Sequence, residues 1–357
     1  MTLHEHGKRL PTLPEYIDLL LPLADSNDTE QVNQFGAVTT GRKDEFFLVQ
    51  TAPKKYRMMP GPEFSPRLYR GQTKRHPSCK PQLFRNITKG NARQKYCEHY
   101  YWTAKRYELI YLLQEHPAVK DIMRWEFDGA VFDFNIQAVA QHYQYKTQML
   151  DFSRNKDIAL FFATHVIDDP HSDPRPAIGS DAVLYTVDVR TLWHQRPNDR
   201  DRLTPIGVDP LPRSAAQSAF ALEMDIGEDL EDMPGVHTET FTVTEEIAAS
   251  VAERCGSIKG IFPKDPFESL ISRSRESNHV TIDAIHLWVE HGNIWPELSV
   301  SDVIDLITEG GYNVSYEASL EPTPQEVKEA QEEWEERRSS YIDRIRWRGV
   351  SDAQGWR

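Results

Sequence analysis

An arginine set among apolar residues, followed about seventy positions later by a corner rich in polar side chains, offers the clearest material for chemistry in this chain. Arg70 lies in the run LYRGQ, residues 68–72. A guanidinium held beside Leu68 and Tyr69 is costly unless it meets a carboxylate or a phosphate, so Arg70 reads either as half of a structural ion pair or as an anion-binding group. Gly71 has no Cβ and lets a backbone or a ligand approach closely. The second run, AQHYQYKTQMLDFSRNKDIALFFA at 140–163, sets Gln141, His142, Asp151 and Ser153 about a strand that turns into a helix. Asp151, Ser153 and Asn155 stand where a helix N-terminus needs capping. The same end could bind a phosphate or a sugar hydroxyl, and the spacing leaves both readings open.

The elements that must position these residues follow from periodicity. Residues 68–72 and 147–152 read as strands, and 156–166 as the helix that carries Ile158, Ala159, Phe162 and Val166. Residues 91–113 place Tyr96, Tyr100, Tyr107, Ile110 and Leu113 on one helical face, as core. Further helices are expected at 16–23, 122–132 and 135–143, with a short strand at 45–50 and a rigid, non-helical lead-in at 60–66. Residues 181–189 alternate with both faces apolar, the pattern of a central strand. A proline-bearing insert at 197–213 leads to the acidic run 223–232, which reads as a solvated loop or as an acidic surface for a partner. Strands are expected at 237–243, 257–262 and 281–289, and helices at 245–253 and 302–308. Residues 323–348 form a strong terminal helix: Thr323 and Glu326 make a capping box, and Val327, Ala330, Trp334, Tyr341 and Ile345 form its seam.

Composition narrows the function classes. The 357 residues suffice for one main core with attachments, and the 39% hydrophobic content supports a globular fold. No window approaches the roughly 18 apolar residues of a spanning helix, and the N-terminus lacks a secretory pattern, so a cytoplasmic protein without membrane contact is expected. Cys79, Cys97 and Cys255 are odd in number and far apart, which argues for free thiols and against a metal site. A net charge of −14 opposes non-specific binding to nucleic acid, so any such contact needs a local basic patch. Arg85, Lys89, Arg93 and Lys95, with Tyr96, Tyr100, Tyr101 and Trp102, form the nearest candidate. Signatures of P-loop ATPases, zinc proteases and α/β-hydrolases are absent from the sequence.

LYRGQ, PQLFR at 81–85 and AQHY…LDFSRN…IALFFA together resemble the FRG domain, a family named for its (F/Y)RG strand. The chain departs from the family pattern at Gln144 for Gly, Lys146 for Pro, Gln148 for Arg, Phe152 for Trp, Ser153 for Thr and Lys156 for Pro. It keeps His142, Thr147, Leu150, Asp151 and Asn155. A later family element is echoed by Arg254 and by IKGIF at 258–262, with Ile258 in place of a glutamine.

The order of these elements is similar to that of ADP-ribosyltransferases of the arginine-serine-glutamate type. That resemblance implies an α+β fold with a mixed β core, surrounding helices and a C-terminal helical appendage. The corresponding division is an N-terminal segment 1–60, the domain 61–270 and an extension 271–357. It also implies NAD as co-substrate, held by Tyr69, Arg70, Gly71, Gln72, Ser153 and Asn155. Arg70, His142 and Asp151 would act in catalysis with a glutamate, for which Glu239 is the first candidate and Glu245, Glu246 and Glu268 follow. A carboxylate near the ribose would stabilise the oxocarbenium-like state of nicotinamide cleavage. The implied activity is ADP-ribose transfer to a protein or RNA acceptor by a toxin or antiphage effector, with an antitoxin or regulatory partner. The alternative is a non-catalytic binding module in which Arg70, His142 and Asp151 form a buried network.

Overall fold

The computed structural model describes residues 8–10, 12, 15, 46–60, 67–127, 129–133, 135–167, 173–196, 202–206, 210–256, 258–292, 298–346 and 350–351. The helix expected at 16–23 lies outside them, as does most of the lead-in 60–66. The fold is α+β. Its main sheet contains β1 (Arg67–Gln72), β2 (Met149–Ser153), β3 (Asp181–Asp188), β4 (Leu203–Pro205), β5 (Ala219–Glu223) and β6 (Val236–Thr242). They run in the order β4-β5-β2-β1-β3-β6, every pair antiparallel.

Period-2 alternation is what lets β3 sit inside this sheet. Val183, Tyr185 and Val187 enter a cluster with Trp193, Leu203, Phe220 and Leu230 on one face. Ala182 packs on the other face with Ala163, Val243 and Ala248. That second face is covered by α2 (Lys156–Thr164) and α3 (Glu245–Cys255), introduced in chain order after the long α1 (Ala92–Gln114). Asn155 caps α2 by accepting from the Asp157 amide at 2.9 Å.

α1 has no single apolar seam because it is covered on several sides. Leu109, Leu112 and Leu113 pack with Tyr143, Tyr145 and Phe267. Tyr100, Tyr101 and Tyr107 pack with the helices Ile282–His291 and Val300–Glu309. Its buried Lys105 pairs with Glu108 and also donates to the His279 carbonyl at 3.0 Å, pinning the following chain to α1. A second sheet, containing Phe46–Ala52 and Lys55–Pro60, packs on α4 (Pro324–Ile342) through Tyr56, Met58, Trp334 and Tyr341. Thr323 and Glu326 form the expected capping box of α4.

Several expectations are corrected. Residues 122–132 are not a helix: Glu126–Phe127 and Ala130–Phe132 form a hairpin, with Gly129 at φ 74° in its turn. Residues 281–289 are helical, because the apolar run there has the length of a strand but the spacing of a buried helix. IKGIF begins as the helix Ile258–Ile261. The terminal helix stops at Ile342, after which Ile345–Arg346 pairs with Phe46 and Phe47. The acidic run is tied into the fold. Glu228 is bound by Arg202 at 2.7 Å, Glu231 accepts from the Tyr185 hydroxyl at 2.9 Å, and Asp229 accepts from the Cys79 amide at 3.0 Å. The described residues contain no helix long and apolar enough to cross a membrane. Cys79, Cys97 and Cys255 are free thiols.

Candidate functional site

β1 and β2 are joined by a single register pair, Tyr69 with Ser153, and part beyond it. Arg70 fills the parting. Its Nη1 donates to the Asp151 carbonyl at 2.9 Å, so a side chain supplies the bond that a ladder amide would otherwise make. Gly71 is required on the other face. A Cβ there would stand 1.8 Å from the Ala159 carbonyl oxygen, so α2 presses directly onto the strand.

A cavity of about 530 Å³ opens at this parting. Of the expected residues it brings together Tyr69, Arg70, Gly71, Gln72, His142, Asp151 and Ser153. Lys74 and Arg85 add to its charge, Arg213 in the lining is paired with Glu268, and Asp151 is the only carboxylate in the lining among the described residues. In a chain of net charge −14, this is a local reversal of sign. Phe162, Val166 and Phe262 make an apolar section of the wall.

The polar atoms aimed at this space are incompletely satisfied. Arg70 Nε, Gln72 Oε1, His142 Nε2, Asp151 Oδ1 and Arg213 Nε, all on lining residues, are buried without a hydrogen-bond partner. Buried polar atoms are ordinarily paired, so five orphans around one cavity mark a place where a ligand's groups could complete the bonding.

His142 is fixed by its neighbours. Gln217 donates through Nε2 to the Ile261 carbonyl at 3.3 Å, which turns its Oε1 toward His142 Nδ1 at 3.0 Å. Nδ1 therefore carries the proton and Nε2 presents a lone pair. Burial lowers the His142 pKa, against the pull of Asp151, and keeps the ring neutral. Burial raises the Asp151 pKa, while His142, Arg70 and Gln141 pull it down. Both shifts have burial as their largest cause, and each is opposed by the charge of the other group.

Other expected residues have different employment. Ser153 donates to the Gln217 carbonyl at 2.7 Å and accepts from the Asn155 amide at 3.0 Å, so its hydroxyl is spent on the corner. Asn155 is outside the lining and serves as the α2 cap. Glu239 sits on β6, at the sheet edge, exposed and opposite Leu184, away from the cavity. Glu245 and Glu246 occupy the exposed first turn of α3, and Glu268 pairs with Arg213. Gln148, in the place of the family arginine, bonds Glu223 outside the cavity. Gln144, in the place of the family glycine, adopts φ 64° and is held by Arg275 at 3.0 Å.

Arg85, Arg213 and Gln217 were not assigned to this site by spacing. Arg85 falls in PQLFR, the one signal that could have drawn it in. Arg213 and Gln217 come from the short helix Pro212–Ala216 and its end, in a proline-bearing stretch that read as irregular.

A family model for the FRG domain matches residues 65–172. That span contains Arg70, Arg85, His142, Asp151 and α2, while Arg213, Gln217 and Phe262 close the cavity from later in the chain. No curated protein and no solved structure matches.

Proposed function

From the premise that this chain carries an FRG domain at 65–172, we propose that it is an NAD-dependent ADP-ribosyltransferase-like enzyme whose site is the Arg70 cavity. The observation that carries the reading is the lining: cationic side chains, one carboxylate among the described residues and five buried polar atoms without partners. Arg70, Arg85 and Lys74 suit the pyrophosphate of a dinucleotide, and the apolar wall at Phe162 and Phe262 suits a flat ring. Asp151 stands as the carboxylate beside the ribose. The bond from the ribose anomeric carbon to nicotinamide breaks, its electron pair leaves with nicotinamide, and an acceptor oxygen or nitrogen bonds to the same carbon. The acceptor's proton passes to His142 Nε2. A protein or RNA acceptor, and a role as a toxin or antiphage effector restrained by an antitoxin, extend the same reading by family resemblance alone.

A second reading, a non-catalytic binding module, is favoured by the place of Glu239 on an exposed edge strand. The test incubates the full-length protein with adenosine-labelled NAD and cell extract, and follows nicotinamide release and transfer of label. Wild type should release nicotinamide, Arg70→Ala and Asp151→Asn should lose at least about 100-fold in rate, and Glu239→Gln should match wild type. NAD binding without release or transfer supports the module. Absence of both binding and release refutes the enzyme.

A further inference from the structure

The chain between Glu63 and Glu98 holds five arginines and four lysines and no carboxylate, although acidic residues outnumber basic ones 55 to 41 overall. The structure lays part of this stretch along one side of the cavity. Lys74, His76 and Arg85 stand in the lining, and all three are exposed at its mouth. Arg85 Nε donates to the Lys80 carbonyl at 3.0 Å, which brings Lys80 beside it, and Lys89 follows in the turn before α1. α1 opens at Ala92 with no acidic residue in its first turn, so its amide end adds to the same field.

Carboxylates do reach the borders of this ledge, but each is engaged. Glu231 is held by Arg75 at 2.8 Å, Glu309 by Arg93, and Glu98 by Lys95 and Lys146 at 2.7 Å. Asp229 accepts from the Cys79 amide. Lys74, Lys80, Arg85 and Lys89 meet no carboxylate within salt-bridge distance among the described residues, leaving four uncompensated charges within sixteen residues of chain, two of which, Lys74 and Arg85, line the cavity.

We infer that this ledge carries the phosphate backbone of a single-stranded nucleic acid, which is the acceptor for the transfer. This rests on the reading of the cavity as an NAD site. A cluster of uncompensated cations in an otherwise acidic chain suits a polyanion that carries one charge per nucleotide. NAD takes up a cavity of about 530 Å³, so the acceptor stays on the ledge and presents one reacting atom at the mouth, which an unpaired nucleotide can do and a base closed off in a duplex cannot. Tyr96, in the first turns of α1, is 41% exposed with the Arg93 guanidinium 5.5 Å from its ring centre, and offers an aromatic surface for stacking.

The experiment measures binding of fluorescent single-stranded RNA, single-stranded DNA and duplex oligonucleotides to the full-length protein across a salt series, without NAD. NAD binding is measured separately by calorimetry. Four phosphate contacts predict a slope of log K against log salt of about −3 for single strands. Lys80→Glu/Lys89→Glu, both outside the cavity lining, should halve the slope and lower affinity at least tenfold, with its fold checked by circular dichroism. Oligonucleotide binding that the double variant leaves intact overturns the ledge. So does label transfer to extract protein together with no oligonucleotide binding. Absence of NAD binding with intact oligonucleotide binding refutes the cavity reading and leaves the ledge as a nucleic-acid surface.

Discussion

Replacing Gly71 with alanine separates the packing role of that position from a ligand-facing one. The added Cβ would lie 1.8 Å from the Ala159 oxygen and 2.8 Å from the Ala163 nitrogen, whereas real Cβ atoms essentially never approach closer than 3.0 Å. Strand and helix must therefore separate by about 1.2 Å, and the obstacle is helical backbone that cannot rotate aside. Overpacking of this kind costs about 1–3 kcal/mol, and a backbone collision belongs at or above the upper end. At about 2.1 cal/mol/K per residue over 357 residues, a loss near 3 kcal/mol lowers the melting temperature by roughly 4 °C. Because α2 also brings Ile158, Ala159 and Phe162 to the cavity, the NAD affinity proposed for it should fall as well. Calorimetric melting of Gly71→Ala beside Gly227→Ala, where a new Cβ meets nothing within 4 Å, makes the comparison. A Gly71→Ala protein that melts within about 2 °C of both wild type and Gly227→Ala refutes the reasoning, and loss of nucleotide binding in such a protein assigns Gly71 to the ligand.

Other outcomes follow from single contacts. Ser153→Ala removes a buried donor and acceptor at the corner and should cost about 1–3 kcal/mol in denaturant unfolding while the cavity keeps its charge. Gln144→Gly should be more stable than Gln144→Ala by about 1 kcal/mol, since both lose the bond to Arg275 and only alanine keeps the cost of the left-handed backbone. Burial depresses the pKa of His116, His142 and His165, and that of His99 to about 4. Unfolded histidine takes up its proton near pH 6.5 while these folded ones do not, so their contribution is present above that pH and is lost as pH falls from about 6.5 toward 4. Asp151, whose folded pKa is raised, acts with the opposite sign. Melting temperatures from pH 7.5 to 5 should fall, and His99→Gln should flatten that slope.

Legibility in the sequence followed how local the determinant was. β3 announced itself by alternation with both faces apolar, and α4 by a capping box confined to four residues. The stretch 122–132 misled because its helical spacing was broken by one turn at Gly129. At the site, Arg70, His142 and Asp151 were visible because two compact motifs hold them. Alternation identified the strand that carries Glu239, but no local pattern tells a strand that it will lie at a sheet edge. Arg213 and Gln217 reach the cavity through tertiary contacts with His142, Ser153 and Ile261, for which a single sequence holds no periodic sign. The acidic run was misread for the same reason, since its partners Arg196, Arg202, Tyr185 and Arg75 come from three other segments.

The lone rung between Tyr69 and Ser153 makes the main sheet two three-stranded jaws with Arg70 as the latch. The group best placed to grip an anion is the same one that closes the seam, so occupancy and sheet continuity share one side chain. An anion that draws Arg70 from the Asp151 carbonyl loosens the jaws, and one that leaves the bond in place clamps them. Amide exchange along 69–72 and 149–153 therefore reports what the cavity holds, and the sheet becomes a gauge of its own ligand.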